Sequence, residues 1–303
     1  MKKALSLVLV TLLALSMVSA LAEGTVSIVV NLKTLSAEYW QVVKSGCDEA
    51  AAELGIEYDI QGAAAETEIA EQVAQIETQL STGADAIVIA PNDGDAVIGA
   101  LESSGFTGPV VFCDTDAAYE AKTAFVGTSN EDAAYKGGIY GIEKVGENIG
   151  AVIIYGQEGD NTSNLRKAGY EKALAEKGIT PLAALSGNNT TDGATKAMED
   201  LLNAYPDQIN LVFCHNDDSA VGVLNACQAA GVEGVTIIGF NGDAFVLDLI
   251  ESGDIAATIA QQPKLMGYQA VMTAYKAVMG EEVAVSQPVD VALIDASNVA
   301  EYK

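Results

Sequence analysis

Apolar and polar positions follow two rhythms that alternate along this chain. Short continuous apolar runs such as "TVSIVVN" (25–31), "DAIVIA" (85–90), "PVVFCD" (109–114), "IGAVIIY" (149–155), "INLVFC" (209–214) and "VTIIGFN" (235–241) read as strands buried on both faces. Between them run longer stretches whose apolar residues recur every three or four positions. In "AEYWQVVKSGCDEAAAELG" (37–55), Tyr39 or Trp40, Val43, Cys47, Ala50 and Leu54 share one helical face, and Gly55 supplies the stop. The same reading predicts strands over 56–60, 123–127, 179–186 and 256–261. It predicts helices over 66–82, 94–104, 131–146, 163–177, 192–204, 217–230, 244–251 and 264–279.

Apolar strands joined by amphipathic helices predict parallel sheets covered on both faces. About ten strands exceed a typical single sheet. The pattern restarts near Gly127-Thr128, about halfway along. The expected fold is therefore α/β, with two Rossmann-like, doubly wound parallel-sheet lobes. The helix after Gln261 is surplus to the second sheet, so the chain is expected to cross back to the first lobe. An eight-stranded α/β barrel fits the alternation but neither the strand number nor the restart.

The N-terminus changes the picture of where this chain works. Lys2 and Lys3 precede an apolar run from Ala4 to Val18, and Ala20-Leu21-Ala22 forms a small-residue cleavage pattern. This predicts a secretory signal peptide over 1–22, no lipid-anchoring Cys, and a periplasmic or extracellular mature chain. The formal charge of −27 becomes −29 once Lys2 and Lys3 leave with the signal. Such a balance repels nucleic acid and anionic membrane, and Arg166 is the only arginine available for phosphate. Cys47, Cys113, Cys214 and Cys227 lie in strands or on inner helix faces, which predicts four buried thiols. A Cys214–Cys227 bridge is the alternative in an exported protein.

In open α/β sheets, ligands bind beyond the carboxyl ends of the strands. Reading along those ends gives Asn31, Asn92, Asp114 with Thr115, Gln157, Asn216 with Asp217, Asn241 and Gln261. Amides offer a donor and an acceptor together, and carboxylates accept hydroxyl protons. That inventory suits a neutral polyol rather than phosphate. Tyr39 and Trp40, in the first turn of the first helix, add flat faces for a sugar ring or a base. The run "VFCHNDDSAVG" (212–222) holds the only histidine, His215. It has no second His for a metal and no base–nucleophile pair, nor does the chain hold a GxSxG elbow, a P-loop or a GxGxxG after a strand. Asn216 is expected to face the cleft, Asp217 to cap the following helix, and His215 to sit at the cleft rim. No enzyme activity, cofactor or metal is expected. A glycosidase pairing of Asp114 with Asp217 is the weaker alternative, since a polyol clamp explains both carboxylates.

The segments "SIVVNLKTLSAEYWQVVKSGCDEAAAELG", "GADAIVIAPNDGDAV", "VVFCDTDA", "AFVGTSNEDAAYKGG", "NLRKAGYEKAL", "LLNAYPDQINLVFCHNDDSAVGVLNA", "IIGFNG" and "AATIAQQP" follow one another in this order. Together they resemble the type 1 periplasmic binding proteins of ABC transporters, the ribose/galactose-type sugar-binding group, over essentially the whole mature chain. The resemblance implies a three-segment hinge near 127–128, 261–262 and 289–291. It implies a first lobe of 23–127 with 262–290 and a second of 128–261 with 291–303. It also implies ligand contacts from Asn31, Tyr39, Trp40, Asp114, Thr115, Asn164, Asn189, Asn216 and Asn241, with Gln261 at a hinge. The implied partners are a small neutral sugar or polyol and a membrane ABC permease, with no nucleic acid and a monomeric state. Alternatives of the same fold are a sugar or autoinducer-type signalling receptor and a nucleoside-binding protein. Relatives of the ribose type carry arginine where this chain has Thr115, and another near Asn164. Arg166 is expected to face the helix interior or an acidic neighbour. Asn189 stands where those relatives have an aromatic. These departures argue away from ribose itself while leaving the polyol class in place.

Overall fold

The computed structural model describes residues 25–303; the signal peptide expected over 1–22 lies outside them. Two six-stranded sheets form the framework. The first contains β1 (Ser27–Thr34), β2 (Glu57–Ala63), β3 (Ala86–Ile89), β4 (Val110–Cys113), β5 (Ala124–Thr128) and β11 (Ser286–Val289), in the order β11-β5-β4-β3-β1-β2. All of its pairings are parallel. The second contains β6 (Ala151–Tyr155), β7 (Ala183–Ser186), β8 (Leu211–Cys214), β9 (Thr236–Asn241), β10 (Ala257–Ala260) and β12 (Ala292–Asp295), in the order β12-β10-β9-β8-β6-β7. Only β12 runs antiparallel there, against β10.

The helices are α1 (Glu38–Leu54), α2 (Ile69–Ser81), α3 (Gly94–Ser104), α4 (Asn130–Val145), α5 (Asn161–Glu176), α6 (Thr191–Ala204), α7 (Asp217–Ala230), α8 (Ala244–Ser252) and α9 (Pro263–Val278). They cover both faces of each sheet, giving every lobe two apolar layers. In the first lobe, Val30, Val88 and Val111 pack toward α1 and α9, while Val29, Ile87 and Phe112 pack toward α2 and α3. In the second, Val152, Val212 and Ile237 face α6, α7 and α8, while Ile153, Phe213 and Ile238 face α4 and α5. Successive strand residues point to opposite faces, so burying both requires the continuous apolar runs seen in the sequence.

The chain passes between the sheets three times: from β5 to α4, from β10 to α9, and from β11 to β12. The second passage returns α9 to the first lobe, against α1. Glycines set how close those helices come. A Cβ on Gly46 would lie 1.9 Å from the Lys264 carbonyl oxygen, and one on Gly267 would lie 2.1 Å from that of Val43. This packing holds the returning segment beside the helix that carries Tyr39 and Trp40.

Two strands, β11 and β12, are additional to those expected. Both are four-residue strands and largely half-exposed. Pro288 lacks an N–H for a ladder, which confines its strand to a sheet edge, and β11 is at an edge. The four cysteines are free and buried.

Candidate functional site

The two sheet orders place equivalent strands opposite each other across the cleft. Counting from the outer edge, β2 faces β7, β1 faces β6, β3 faces β8, β4 faces β9 and β5 faces β10. The passages between lobes leave from the β5/β11 and β10/β12 side, so that side is the hinge. The segments after β2 and β7 meet at the opposite edge, the mouth. At the hinge end, Thr128 Oγ1 donates to Gln261 Oε1 at 2.7 Å. One strand in from the mouth, Lys33 Nζ meets Asp160 Oδ2 at 2.7 Å, with the two side chains 3% and 1% exposed. At the mouth itself, Asn189 Nδ2 donates to Glu66 Oε2 at 2.6 Å. The lobes are therefore closed on each other.

Between these closures lies a chamber lined by Lys33, Tyr39, Trp40, Glu66, Asp114, Thr162, Arg166, His215, Asn216, Asp218, Asn241 and Gln261. It holds ≈ 380 Å³ not filled by protein atoms, counting its opening, and ≈ 30 Å³ where a whole water fits. A wider hollow around Leu80, Ala84, Ser104 and Phe106, with ≈ 1190 Å³ not filled by protein atoms, lies at the far end of the first sheet, away from the strand ends that converge here.

Asp114 leaves β4 with φ 63°, a left-handed conformation that turns its carboxylate inward. Its Oδ2 accepts Tyr39 Oη–H at 2.6 Å, and its Oδ1 accepts Thr115 Oγ1–H at 2.9 Å. Trp40 donates Nε1–H to Glu66 Oε1 at 2.7 Å, and the Tyr39 and Trp40 rings meet edge to face at 5.1 Å. Burial and the Asp114 carboxylate push the Tyr39 phenol well up, so it remains a donor.

The second lobe supplies Arg166, on the same face of α5 as Thr162 four residues earlier. Its guanidinium stacks on Phe240 at 3.6 Å and donates to Asn130 Oδ1 and to the His215 carbonyl, both at 2.8 Å. Asn241 Oδ1 accepts Gln261 Nε2–H at 2.9 Å, and its Nδ2 reaches Asp243 at 3.2 Å. Asn216 caps α7 by accepting from Ser219 N at 2.9 Å, and its Nδ2 donates to the Asn189 carbonyl. His215 is buried, and its Nδ1 has no partner. Burial and the adjacent Arg166 push its pKa well below the usual histidine value, so the ring is neutral at physiological pH.

Of the residues expected from sequence, Tyr39, Trp40, Asp114, Asn216, Asn241 and Gln261 line the chamber. Asn31 does not. The first strand runs on to Thr34, and the Asn31 Nδ2 donates to Gln79 and Gln75 of α2. Lys33 reaches the cleft in its place. Thr115 lies behind Asp114 and bonds Thr162 across the lobes at 2.9 Å. Asn164 is exposed outside the chamber. Asn189 is committed to closure through Glu66, and within its own lobe its Oδ1 accepts Gln157 N–H at 3.0 Å. Arg166 is the reverse case, a chamber residue expected to face elsewhere, and His215 sits deeper than the rim. Asp217 does not cap α7. Its carboxylate accepts Gly242 N, Asp243 N and Thr258 Oγ1, tying down the turn after β9. Among the described residues, no group of three His, Cys, Asp or Glu is placed to hold a metal ion.

Residues 28–282 match the family model described as the periplasmic binding protein domain. The chain is 30% identical over 296 residues to the ribose import binding protein of Escherichia coli K12, covering 97% of this chain and 98% of that one. It is 26% identical over 282 residues to the D-ribose/D-allose-binding protein of Pseudomonas aeruginosa, covering 89% and 87%. Among solved structures, an ABC transporter periplasmic solute binding protein of Actinobacillus succinogenes with bound D-allose superposes with a TM-score of 0.83 at 28% identity, covering 91% of this chain and 100% of that one. A carbohydrate transporter solute binding protein of Agrobacterium radiobacter in complex with D-arabinose gives 0.85 at 27% identity, covering 93% and 98%.

Proposed function

This chain belongs to the periplasmic binding protein family, and on that footing we propose that it is the solute-binding component of an ABC importer. It takes a neutral monosaccharide outside the cytoplasmic membrane and presents it, as a monomer with closed lobes, to a membrane permease. The residues that do this bind and orient; none is arranged for bond cleavage.

The observation that carries the sugar reading is the chamber's mixture of groups. Asp114 accepts hydroxyl protons, while Arg166 donates from a guanidinium already held flat on Phe240. Asn241 and Gln261 offer both polarities, and the Tyr39–Trp40 pair supplies an apolar wall. A ring bearing several hydroxyls needs donors and acceptors converging from both lobes. The unpaired Nδ1 of buried His215 is one further site for a hydroxyl. The names of the relatives point the same way, toward aldopentoses and aldohexoses. Arg166 in the chamber restores ribose to the candidates.

A thermal-shift screen of the chain from Glu23 onward, confirmed by calorimetry, tests this reading. The panel is pentoses, hexoses, inositols and nucleosides. A ligand at a hundredfold excess over its Kd stabilises the fold by ~2.7 kcal/mol. A monosaccharide hit is the expected result. A hit with nucleosides alone reassigns Tyr39 and Trp40 to base stacking, and no shift with any sugar overturns the proposal.

A further inference from the structure

We propose that Glu66 is a specificity-determining residue, a carboxylate gate that admits a single free sugar ring and rejects one extended by a glycosidic substituent toward the mouth. The inference rests on the monosaccharide reading above and deepens it.

Three observations converge. The first is position. Glu66 lies in the segment between β2 and α2, just after the outermost strand of its sheet, and Asn189 lies after β7, outermost in the other. Those segments meet opposite the hinge, on the route by which a ligand enters. The second is bonding. One carboxylate oxygen takes the Trp40 indole N–H at 2.7 Å and the other takes the Asn189 amide at 2.6 Å, so a single side chain spans from the aromatic wall to the opposite lobe. Asn189 is fixed to receive it, since its backbone is left-handed at φ 61° and its Oδ1 is held by Gln157 N. The third is the lining. Glu66 faces the chamber as well as the mouth. A carboxylate has about four acceptor sites. With two taken, Glu66 retains the capacity to accept a hydroxyl proton from the ring position that faces it.

An ether oxygen at that ring position has no proton to give. The atoms beyond it would occupy the space where Glu66 meets Asn189. A glycoside or disaccharide would then have to break the Glu66–Asn189 bond, and a free ring would not. The Lys33–Asp160 pair, one strand further in, narrows the same passage. Selectivity therefore resides in a residue that joins the lobes and not only in those that cradle the ring.

The test measures the Kd ratio between the best-binding monosaccharide of the screen and its methyl glycosides and disaccharides, by calorimetry. The parent, Glu66→Ala, Glu66→Gln and Asn189→Ala are compared. The expected parent ratio is at least a hundredfold in favour of the free ring. Glu66→Ala and Asn189→Ala each cut that ratio tenfold or more. Glu66→Gln, which keeps an acceptor for Trp40, falls between. A merely structural role would weaken every ligand by the same factor and leave the ratio unmoved. An unchanged ratio in Glu66→Ala, or a parent that takes the disaccharide as well as the ring, overturns this proposal while leaving the sugar reading intact. A parent that binds no monosaccharide overturns both.

Discussion

Replacing Lys33 by Met removes one half of the buried ion pair that joins the lobes. The Lys33–Asp160 contact is 2.7 Å, and both side chains are almost wholly shielded. Asp160 also accepts Thr162 N at 2.9 Å as the cap of α5, so its carboxylate cannot swing away without freeing that helix. Burial opposes the charge on both partners, yet their mutual attraction outweighs it. The Lys33 amine is held above its ordinary value, with Glu66 and Asp114 adding to Asp160, and the Asp160 carboxyl is held below its own. Leaving one buried charge without its partner costs about 3–5 kcal/mol. When the lobes part, water solvates Asp160 again, so the penalty falls mainly on the closed form. Taking ~3 kcal/mol, and a factor of ten per 1.4 kcal/mol, ligand affinity drops about a hundredfold. The melting temperature measured without added ligand moves much less.

Calorimetry with the sugar from the screen reads that drop, and small-angle scattering reads the opening. The double variant Lys33→Met/Asp160→Asn leaves no bare charge and keeps the cap, so it recovers a large part of the lost affinity. The sign of the pH dependence follows from the two shifts. The Asp160 contribution is complete above the ordinary carboxylate range and fades as pH falls through its depressed value. The Lys33 contribution is complete below the ordinary amine value of about 10.4 and fades as pH rises through its raised one. Affinity attributable to the pair is thus level from about pH 5 to 10. A Lys33→Met affinity within threefold of the parent, or a double variant as weak as the single one, refutes the assignment of closure to this pair.

Asp114→Ala and Asn241→Ala are each expected to weaken sugar binding by a hundredfold or more while circular dichroism stays native. Asp114→Ala also costs about 1–3 kcal/mol in urea titration, because the buried Tyr39 hydroxyl loses its carboxylate acceptor. Asp243 is pushed up to about 8 by burial and by the nearby Asp217 carboxylate. A raised carboxyl contributes its stability below the unfolded value and loses it as pH rises through the folded one, so Asp243→Asn should raise stability clearly at pH 8 and little at pH 4. Matched melts at the two pH values would show the difference, and equal gains would contradict it. Burial pushes the Cys47 and Cys227 thiols up to about 12 and about 11, and Cys113 and Cys214 are raised as well. A thiol reagent at pH 8 should therefore label the native protein hardly at all and all four cysteines after denaturation.

The strands and helices that build the two sheets were legible because parallel sheets, covered on both faces, demand unbroken apolar runs, and little else in a soluble chain does. The segments that escaped that logic are Ser286–Val289 and Ala292–Asp295, short edge strands with one side in water. Reading the strand ends found Asp114, Asn216, Asn241 and Gln261, whose backbones turn where the apolar run stops. It failed at Asn31, because β1 continues beyond its Ile28–Val30 β-branched run as far as Thr34 and delivers Lys33 to the cleft. Asn31 and Lys33 share one face of β1, so the period was right and only the length of the strand was misjudged. Arg166 had a usable signal, since it stands one helical turn beyond Thr162 and the capping Asp160 places that turn at a strand end. A lone arginine in an acidic chain, at that spacing, faces the cleft for the same reason that Thr162 does.

Glu66 had no such signal. It lies in a short segment of small residues, "GAAAETE" (62–68), where neither strand nor helix period assigns a direction. Its role emerges only when the two sheet orders are laid against each other and β2 is found opposite β7. Chamber-lining residues and the Glu66–Asn189 closure contact therefore differ in how far a sequence discloses them. A contact at a central strand end follows from the local pattern of one lobe. A contact that joins the lobes depends on two segments about 120 residues apart in sequence, Glu66 and Asn189, whose meeting is decided by the topology of both sheets. Closure at the mouth is thus set where local pattern is weakest, whereas the Lys33–Asp160 and Thr128–Gln261 closures fall at strand ends that the apolar runs point to.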